Sequence, residues 1–125
     1  MNYARFNLFA FINKQIRFSS KTFGPRKRLL GVIDRIKKEL IEVEASEGKD
    51  VEEWADVIIL AIDGAWRAGH SSRTICVALD AKLKKNIGRK WPDWRTTEPG
   101  KAIEHVRDKE EIDRCQRYIE KEKGE

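Results

Sequence analysis

Residues 37–60 read KKELIEVEASEGKDVEEWADVIIL. Two apolar stretches flank the polar, glycine-containing break SEGKD, and each carries acids three residues apart: Glu39 and Glu42 before the break, Glu53 and Asp56 after it. Apolar residues recurring at three- and four-residue steps mark helices and not strands. The stretch predicts two helices joined by a short polar break, and the question it poses is where the four carboxylates point.

Working outward, Leu29, Ile33, Ile36, Leu40 and Val43 form an apolar line that predicts a helix over 29–45. The next helix starts near Val51, with Asp50 as N-cap and Glu52 and Glu53 in a first turn where the helix dipole favours acid. It reaches about Ala68, and Gly69 closes it. Its centre, VIILAI, is flanked by Trp54 and Trp66, so apolar side chains leave it in nearly every direction and burial on most sides is expected. A first helix is expected over Tyr3–Phe18, before the break SSKTFGPRK with Gly24 and Pro25. A fourth begins at a cap on Ser71 or Ser72 and runs to about Ile87, ahead of Gly88 and the loop at Pro92. Beyond Thr96 the text is polar. Ile112, Cys115 and Ile119 leave a terminal helix or a solvated tail open, with EKEKGE frayed. With no repeat and no convincing strand, the fold class is an all-α bundle.

Composition bounds the function. A chain of 125 residues makes one domain, and its 38% charged residues give it a highly charged surface. The net charge of +5 is compatible with nucleic acid, a membrane surface or a phosphorylated small molecule and does not choose among them. Cys76 and Cys115 stand far apart with no C-x-x-C pair, which reads as reduced thiols and not a disulfide or zinc site. No apolar run approaches the roughly 20 residues of a membrane span. The N-terminal RFNLFAFINK is short, is broken by Asn7 and lacks a cleavage site. A soluble cytoplasmic protein is expected, in the bacterial host cytoplasm if a phage encodes it.

Asp56 and Asp63 are seven residues apart, so at about 100° per residue they share one face, and Glu53 joins them. Glu39 and Glu42 flank the apolar line of the preceding helix. If the two helices pack antiparallel through their apolar stripes, four or five carboxylates meet at one seam. Taken singly, each spelling has a plain explanation: a solvated face, a complement to the helix dipole, or, for Asp63, a structural hydrogen bonder. Taken together they need bound cations or buried Lys and Arg, because desolvated anions repel. Hard oxygen donors without His or Cys point to Mg²⁺, or Mn²⁺, before Zn²⁺. Such ions activate water and hold phosphate oxygens, as phosphate-ester cleavage requires. On the fourth helix the apolar line Ile75–Ala78–Leu79 continues into Lys82, Lys85 or Asn86, and Arg89. These groups either line a cavity mouth and grip phosphates or lay their stems over apolar surface.

ELIE, EWAD and KLKKNIGR together resemble the E-x-x-E…E-x-x-D layout of the MazG-like all-α nucleoside triphosphate pyrophosphatases. The longer strings FSSKTFGP, GVIDRIKKELIEVEA, WADVIILAIDGAWRAGHS, KNIGRKWPDWRT and KAIEHVRD resemble its dATP/dGTP diphosphohydrolase family, the MazZ type, over Phe6–Asp108. The resemblance implies a domain over 1–108 with a charged extension over 109–125. It also implies cleavage of a purine deoxynucleoside triphosphate between the α and β phosphates. By it, Glu39, Glu42, Glu53 and Asp56 hold Mg²⁺ and one of them serves as base. Asp63 contacts the nucleotide, while Lys82, Lys85, Asn86 and Arg89 hold phosphates. It further implies a homodimer or homotetramer formed through the central helices, which the wide apolar surface of the third helix also favours. The chain departs from the pattern at Lys38, where many relatives carry a second glutamate, and at Arg26, where a small residue is expected.

Trp91 and Trp94 around Pro92 are placed either to stack on a purine or to plug the bundle end. His105 reads as a structural group, and His70 as part of a turn. Two other readings stay open. One is nucleic-acid binding, carried by the charge and KTFGPRKR but opposed by the acidic face and the lack of a binding motif. The other is an inactive interaction module, which four intact acidic positions oppose.

Overall fold

The computed structural model describes residues 5–123, and among these there are helices and no strand. Helix α1 spans Leu8–Phe23, α2 Leu29–Ala45, α3 Val51–Arg67, α4 Ser72–Ile87 and α5 Lys109–Lys123. One turn of 3-10 helix, Trp94–Thr96, lies between α4 and α5. The expected bounds of α2, α3 and α4 hold within a residue.

Helix α1 differs from its expectation. Asn7, which interrupts the apolar run, is its N-cap and accepts a hydrogen bond from the Ala10 backbone N–H at 2.9 Å. The expected start at Tyr3 and Ala4 lies outside the described residues. At the other end the helix continues through SSKTF and stops only at Gly24, whose φ of 85° favours glycine. Serines are weak helix formers, but Ser19 is buried and its hydroxyl is satisfied by Asp63.

The chain divides into two compact units between Ala81 and Lys82. In the first, α3 packs along α2 and against α1. The start of α2 meets the end of α3, where a Cβ on Gly64 would come within 3.3 Å of Val32. Both helices also meet at their shared turn, so the hairpin is antiparallel. The apolar core joins Ile12 of α1, Ile62 of α3 and Ile75 of α4, with Phe11, Ile16, Ala65, Trp66 and Cys76 around it.

Two burial expectations are corrected. On α2 the buried line is Val32, Glu39 and Val43, while Leu29, Ile33 and Leu40 are exposed. The inward face is turned toward Glu39, which carries this carboxylate inside instead of leaving it on the flank. On α3, Ile58 and Ile59 are exposed, because α1 and α2 pack along other sides of that helix. Helix α4 buries only its first turn, at Ser72 and Ile75, and Leu79 is exposed.

In the second unit the loop after α4 is tied back by the Val106 backbone N–H, which donates to the Lys90 carbonyl at 2.8 Å. Helix α5 is capped by the Asp108 carboxylate, which accepts from the Glu111 N–H at 2.8 Å. It continues through the expected frayed text to Lys123, while Gly124 and Glu125 lie outside the described residues. Cys76 and Cys115 are free thiols. Among the described residues no helix is long and apolar enough to cross a membrane.

Candidate metal centre

The turn between α2 and α3 sets the register of the acids. Glu47 and Gly48 both take left-handed backbone angles, φ 57° and 71°, and the Gly48 N–H returns to the Val43 carbonyl at 2.9 Å. Trp54 donates its ring N–H to the Gly48 carbonyl at 2.9 Å, and Asp50 accepts from the Glu52 N–H. This closed turn sets the second half of α2 against the first turns of α3.

There the carboxylates converge. One oxygen each from Glu39, Glu53 and Asp56 lie within 4.8 Å of one another. Glu42, exposed on the same half of α2, shares a side-chain hydrogen bond with Glu53. All four predicted ligands are therefore neighbours. Burial pushes the Glu53 carboxyl up from 4.5 to about 7, reinforced by the hydrogen bond and charge of Glu42 and by the charges of Asp50 and Glu39.

Glu39 is 3% exposed. Arg35, one turn earlier, reaches its Oε1 at 3.0 Å. Its Oε2 is buried with no hydrogen-bond partner, and so is Oε2 of Glu53. Buried acceptors of this kind are rare unless something outside the protein satisfies them. Two orphaned carboxylate oxygens beside a third acid, with no His or Cys among them, fit a hard divalent cation such as Mg²⁺ or Mn²⁺.

Asp63 sits elsewhere on α3, in a buried network. Its Oδ1 accepts from the Ser19 hydroxyl at 2.5 Å and the Trp66 ring N–H at 2.8 Å, and Oδ2 accepts from Arg67 Nε at 2.9 Å. Arg67 also donates to the carbonyls of Gly24 and Arg26, at 2.8 and 2.7 Å, and to the Ser19 hydroxyl. The network locks the end of α3 to the end of α1 and the connection to α2. Beside it lies a hollow of about 460 Å³ walled by Phe23, Arg28, Val32, Arg35, Leu60 and Asp63. Arg35 belongs both to this hollow and to the carboxylate centre, through Glu39.

The remaining candidates lie in the second unit. Lys82 is exposed. The Asn86 side-chain oxygen accepts from Arg89 at 3.0 Å, and its backbone carbonyl accepts from the Trp91 ring N–H at 2.7 Å. Lys85 and Arg89 line a basic groove. Trp91 packs edge-on to His105, which meets Glu111 at 3.0 Å, so His105 is tied into the fold of this unit. Trp94 is exposed, with the Arg95 guanidinium over its ring.

Sequence reasoning did not find Arg35 or Arg67. The signal for Arg67 was present: it stands four residues after Asp63 in an otherwise apolar helix, the spacing of an intrahelical ion pair. The same spacing links Arg35 to Glu39.

Residues 11–109 match the model of a family described as dATP/dGTP pyrophosphohydrolase. Among solved structures, the chain resembles a cyanophage S-2L MazG-like pyrophosphohydrolase, described as bound to dGDP and three catalytic Mn²⁺ ions per active site. The two are 26% identical with a TM-score of 0.65, over 84% of this chain and 98% of that one. No curated protein matches the chain.

Proposed function

The chain belongs to the dATP/dGTP pyrophosphohydrolase family and is a nucleoside triphosphate diphosphatase, and on that premise we propose the bond it cleaves and the residues that do so. The substrate is dATP or dGTP, broken between the α and β phosphates. Water adds to phosphorus at that bridge, the P–O bond breaks, and the products are the monophosphate, pyrophosphate and a proton. Glu39, Glu42, Glu53 and Asp56 would hold Mg²⁺ or Mn²⁺. When bound, the cation supplies a water of lowered pKa and offsets the charge of the phosphate oxygens. The observation that carries this reading is the pair of buried, unpartnered oxygens on Glu39 and Glu53 within one cluster of acids.

The chain's own residues then have distinct tasks. Glu39, fixed on Oε1 by Arg35, keeps Oε2 for the cation. Glu42 lies beside Glu53, and one of the four carboxylates would also accept the proton of the attacking water. Lys82, Lys85, Asn86 and Arg89 hold phosphates. Asp63 contacts the nucleotide from the wall of its hollow, where Arg28 and Arg35 stand with Asp34. Residues 1–108 form the catalytic domain, as the matched span 11–109 supports. The enzyme works in the cytoplasm.

Product analysis tests the reaction. Incubation with dGTP or dATP and Mg²⁺ is expected to yield monophosphate and pyrophosphate in equal amounts. Diphosphate with free phosphate would place the cleavage at the other bridge, and no turnover of any deoxynucleoside triphosphate would refute the reading.

The elevated Glu53 pKa gives a pH dependence with a definite sign. Between its ordinary 4.5 and about 7, the folded metal-free protein holds a proton that the unfolded chain has lost. Stability from this group is therefore full below the lower value and declines as pH rises through the upper one. Cation binding displaces the same proton. The apparent Kd for Mg²⁺ should be about tenfold weaker near pH 6 than near pH 8, and the thermal shift on adding Mg²⁺ correspondingly smaller. Calorimetric titration at the two pH values checks both, and equal affinities would contradict it.

The oligomer belongs to the same proposal. Leu29, Leu30 and Ile41 on α2 and Ile58 on α3 are each at least 59% exposed, more apolar surface than a chain of this size keeps in water. A second copy of the chain covers it, giving at least a homodimer through the central helices. Light scattering at micromolar concentration should give a mass at least twice that of one chain, and Ile58→Asp should shift it toward the monomer.

A further inference from the structure

The second unit contains a groove of about 670 Å³ that the catalytic reading uses only in part. Its walls carry Lys85 and Arg89 near the end of α4, Arg107 in the following loop, and Arg114 and Tyr118 on α5. Positions 111, 114, 115, 118 and 119 fall on one face of α5 by their three- and four-residue steps, and all five line the groove. The match to the family ends at residue 109, so this face lies beyond what family membership accounts for.

The groove is held in shape by its own contacts. Arg107 donates to the Cys115 sulfur at 3.5 Å, and Trp91 packs against His105. Four cations share the space with one carboxylate, Glu111, which is already engaged by His105 at 3.0 Å. Among the described residues, neither Lys85 nor Arg114 has a hydrogen-bond or ion-pair partner. Like charges gathered in one concavity repel and raise the local concentration of anions. Arginine beside lysine is the pairing that grips phosphate oxygens, with arginine offering a two-pronged donor. The volume is in the range of small-molecule sites and exceeds what one phosphate needs.

We propose that α5 completes an oligophosphate-binding groove within the second unit, in which Arg114 joins Lys85 and Arg89 on the phosphates of a polyphosphate ligand. The inference rests on the reading of Lys85 and Arg89 as phosphate holders and adds to it a side chain from outside the matched domain. Tyr118 stands one turn beyond Arg114 on the same wall and is 66% exposed, so its hydroxyl is free to reach the ligand.

The test compares Arg114→Ala, Arg114→Lys and Arg117→Ala in the full chain. Arg117 lies on α5 and does not line the groove, so it removes the same charge from the same helix. Binding of inorganic tripolyphosphate is measured by calorimetry without divalent cation, and kcat and KM are measured with dGTP and Mg²⁺. Arg114→Ala should raise the tripolyphosphate Kd by about 5–10-fold, the cost of one charge-assisted hydrogen bond in an open groove, and leave kcat within about twofold. Arg114→Lys should recover part of the loss, and Arg117→Ala should change neither constant. Equal losses at 114 and 117 would show diffuse charge and overturn the groove, as would no change at 114. If no deoxynucleotide is turned over but tripolyphosphate binding still depends on Arg114, the groove stands and the catalytic reading alone fails.

Discussion

Glu53→Gln will abolish catalysis and at the same time stabilise the metal-free protein. The substitution removes a ligand from the carboxylate cluster, and cation-assisted phosphoryl chemistry depends on several kcal/mol of charge stabilisation from the ion, so turnover of dGTP should fall by about 10³-fold or more. Stability should move the other way. The Glu53 carboxyl is pushed up to about 7 by burial and by its acidic neighbours, so in neutral solution it opposes folding. An amide carries no charge, and its N–H₂ offers donors to the unpartnered carboxylate oxygens around it. The melting temperature without metal should therefore rise near pH 8, and added Mg²⁺ should no longer raise it further. Activity within tenfold of the parent, or a fall in the metal-free melting temperature, would contradict the assignment. Opposite signs for stability and activity are the signature of a site selected for function over packing.

Arg67→Ala should be the most destabilising of the substitutions considered. The guanidinium ties the end of α3 to the end of α1 and to the backbone of the α1–α2 connection, at Ser19, Gly24 and Arg26. Its side chain is 2% exposed, and that of Asp63 is 12% exposed. Truncation would leave the Asp63 charge buried without its cation and two carbonyls without a donor. Breaking a buried pair by removing one partner costs about 3–5 kcal/mol, a large part of a small domain's total stability. A fall in melting temperature of about 10 °C or more follows. Asp63→Ala should cost a similar amount, because it strands the arginine instead. The double Ala variant should lose less than the sum of the two. Urea denaturation of the three variants measures all these terms, and single losses under about 1 kcal/mol would contradict the role of the network.

The carboxylate centre was legible because its geometry is written in spacing. Glu39 with Glu42 and Glu53 with Asp56 are each three residues apart, and the short break between them forces the two pairs onto the same stretch of hairpin. Helix bounds were equally legible where a cap or a glycine marks them, as at Asp50 and Gly69. The rotation of α2 was not. Leu29, Ile33, Ile36, Leu40 and Val43 form the better apolar line, yet the helix turns Val32, Glu39 and Val43 inward. Periodicity in one chain does not distinguish a face that meets its own core from a face left for another surface. The same ambiguity hid the exposure of Ile58 and Ile59 on α3. At α1, Asn7 was read as an interruption when it caps the helix, and Ser19 as part of a break when it is a buried hydrogen-bond donor. Both are polar residues whose meaning depends on a partner. For Ser19 that partner is 44 positions away in sequence. Arg67 belongs to the same class, since three of its acceptors lie more than 40 residues upstream.

The most direct measurement is the position of Mn²⁺ in crystals of the protein, located by its anomalous scattering. A peak coordinated by Glu53, Asp56 and the free Oε2 of Glu39, and lost in crystals of Glu53→Gln, is the predicted result. Manganese bound elsewhere, or no ordered ion among these carboxylates in a crystal soaked well above the Kd, would contradict the account at its centre.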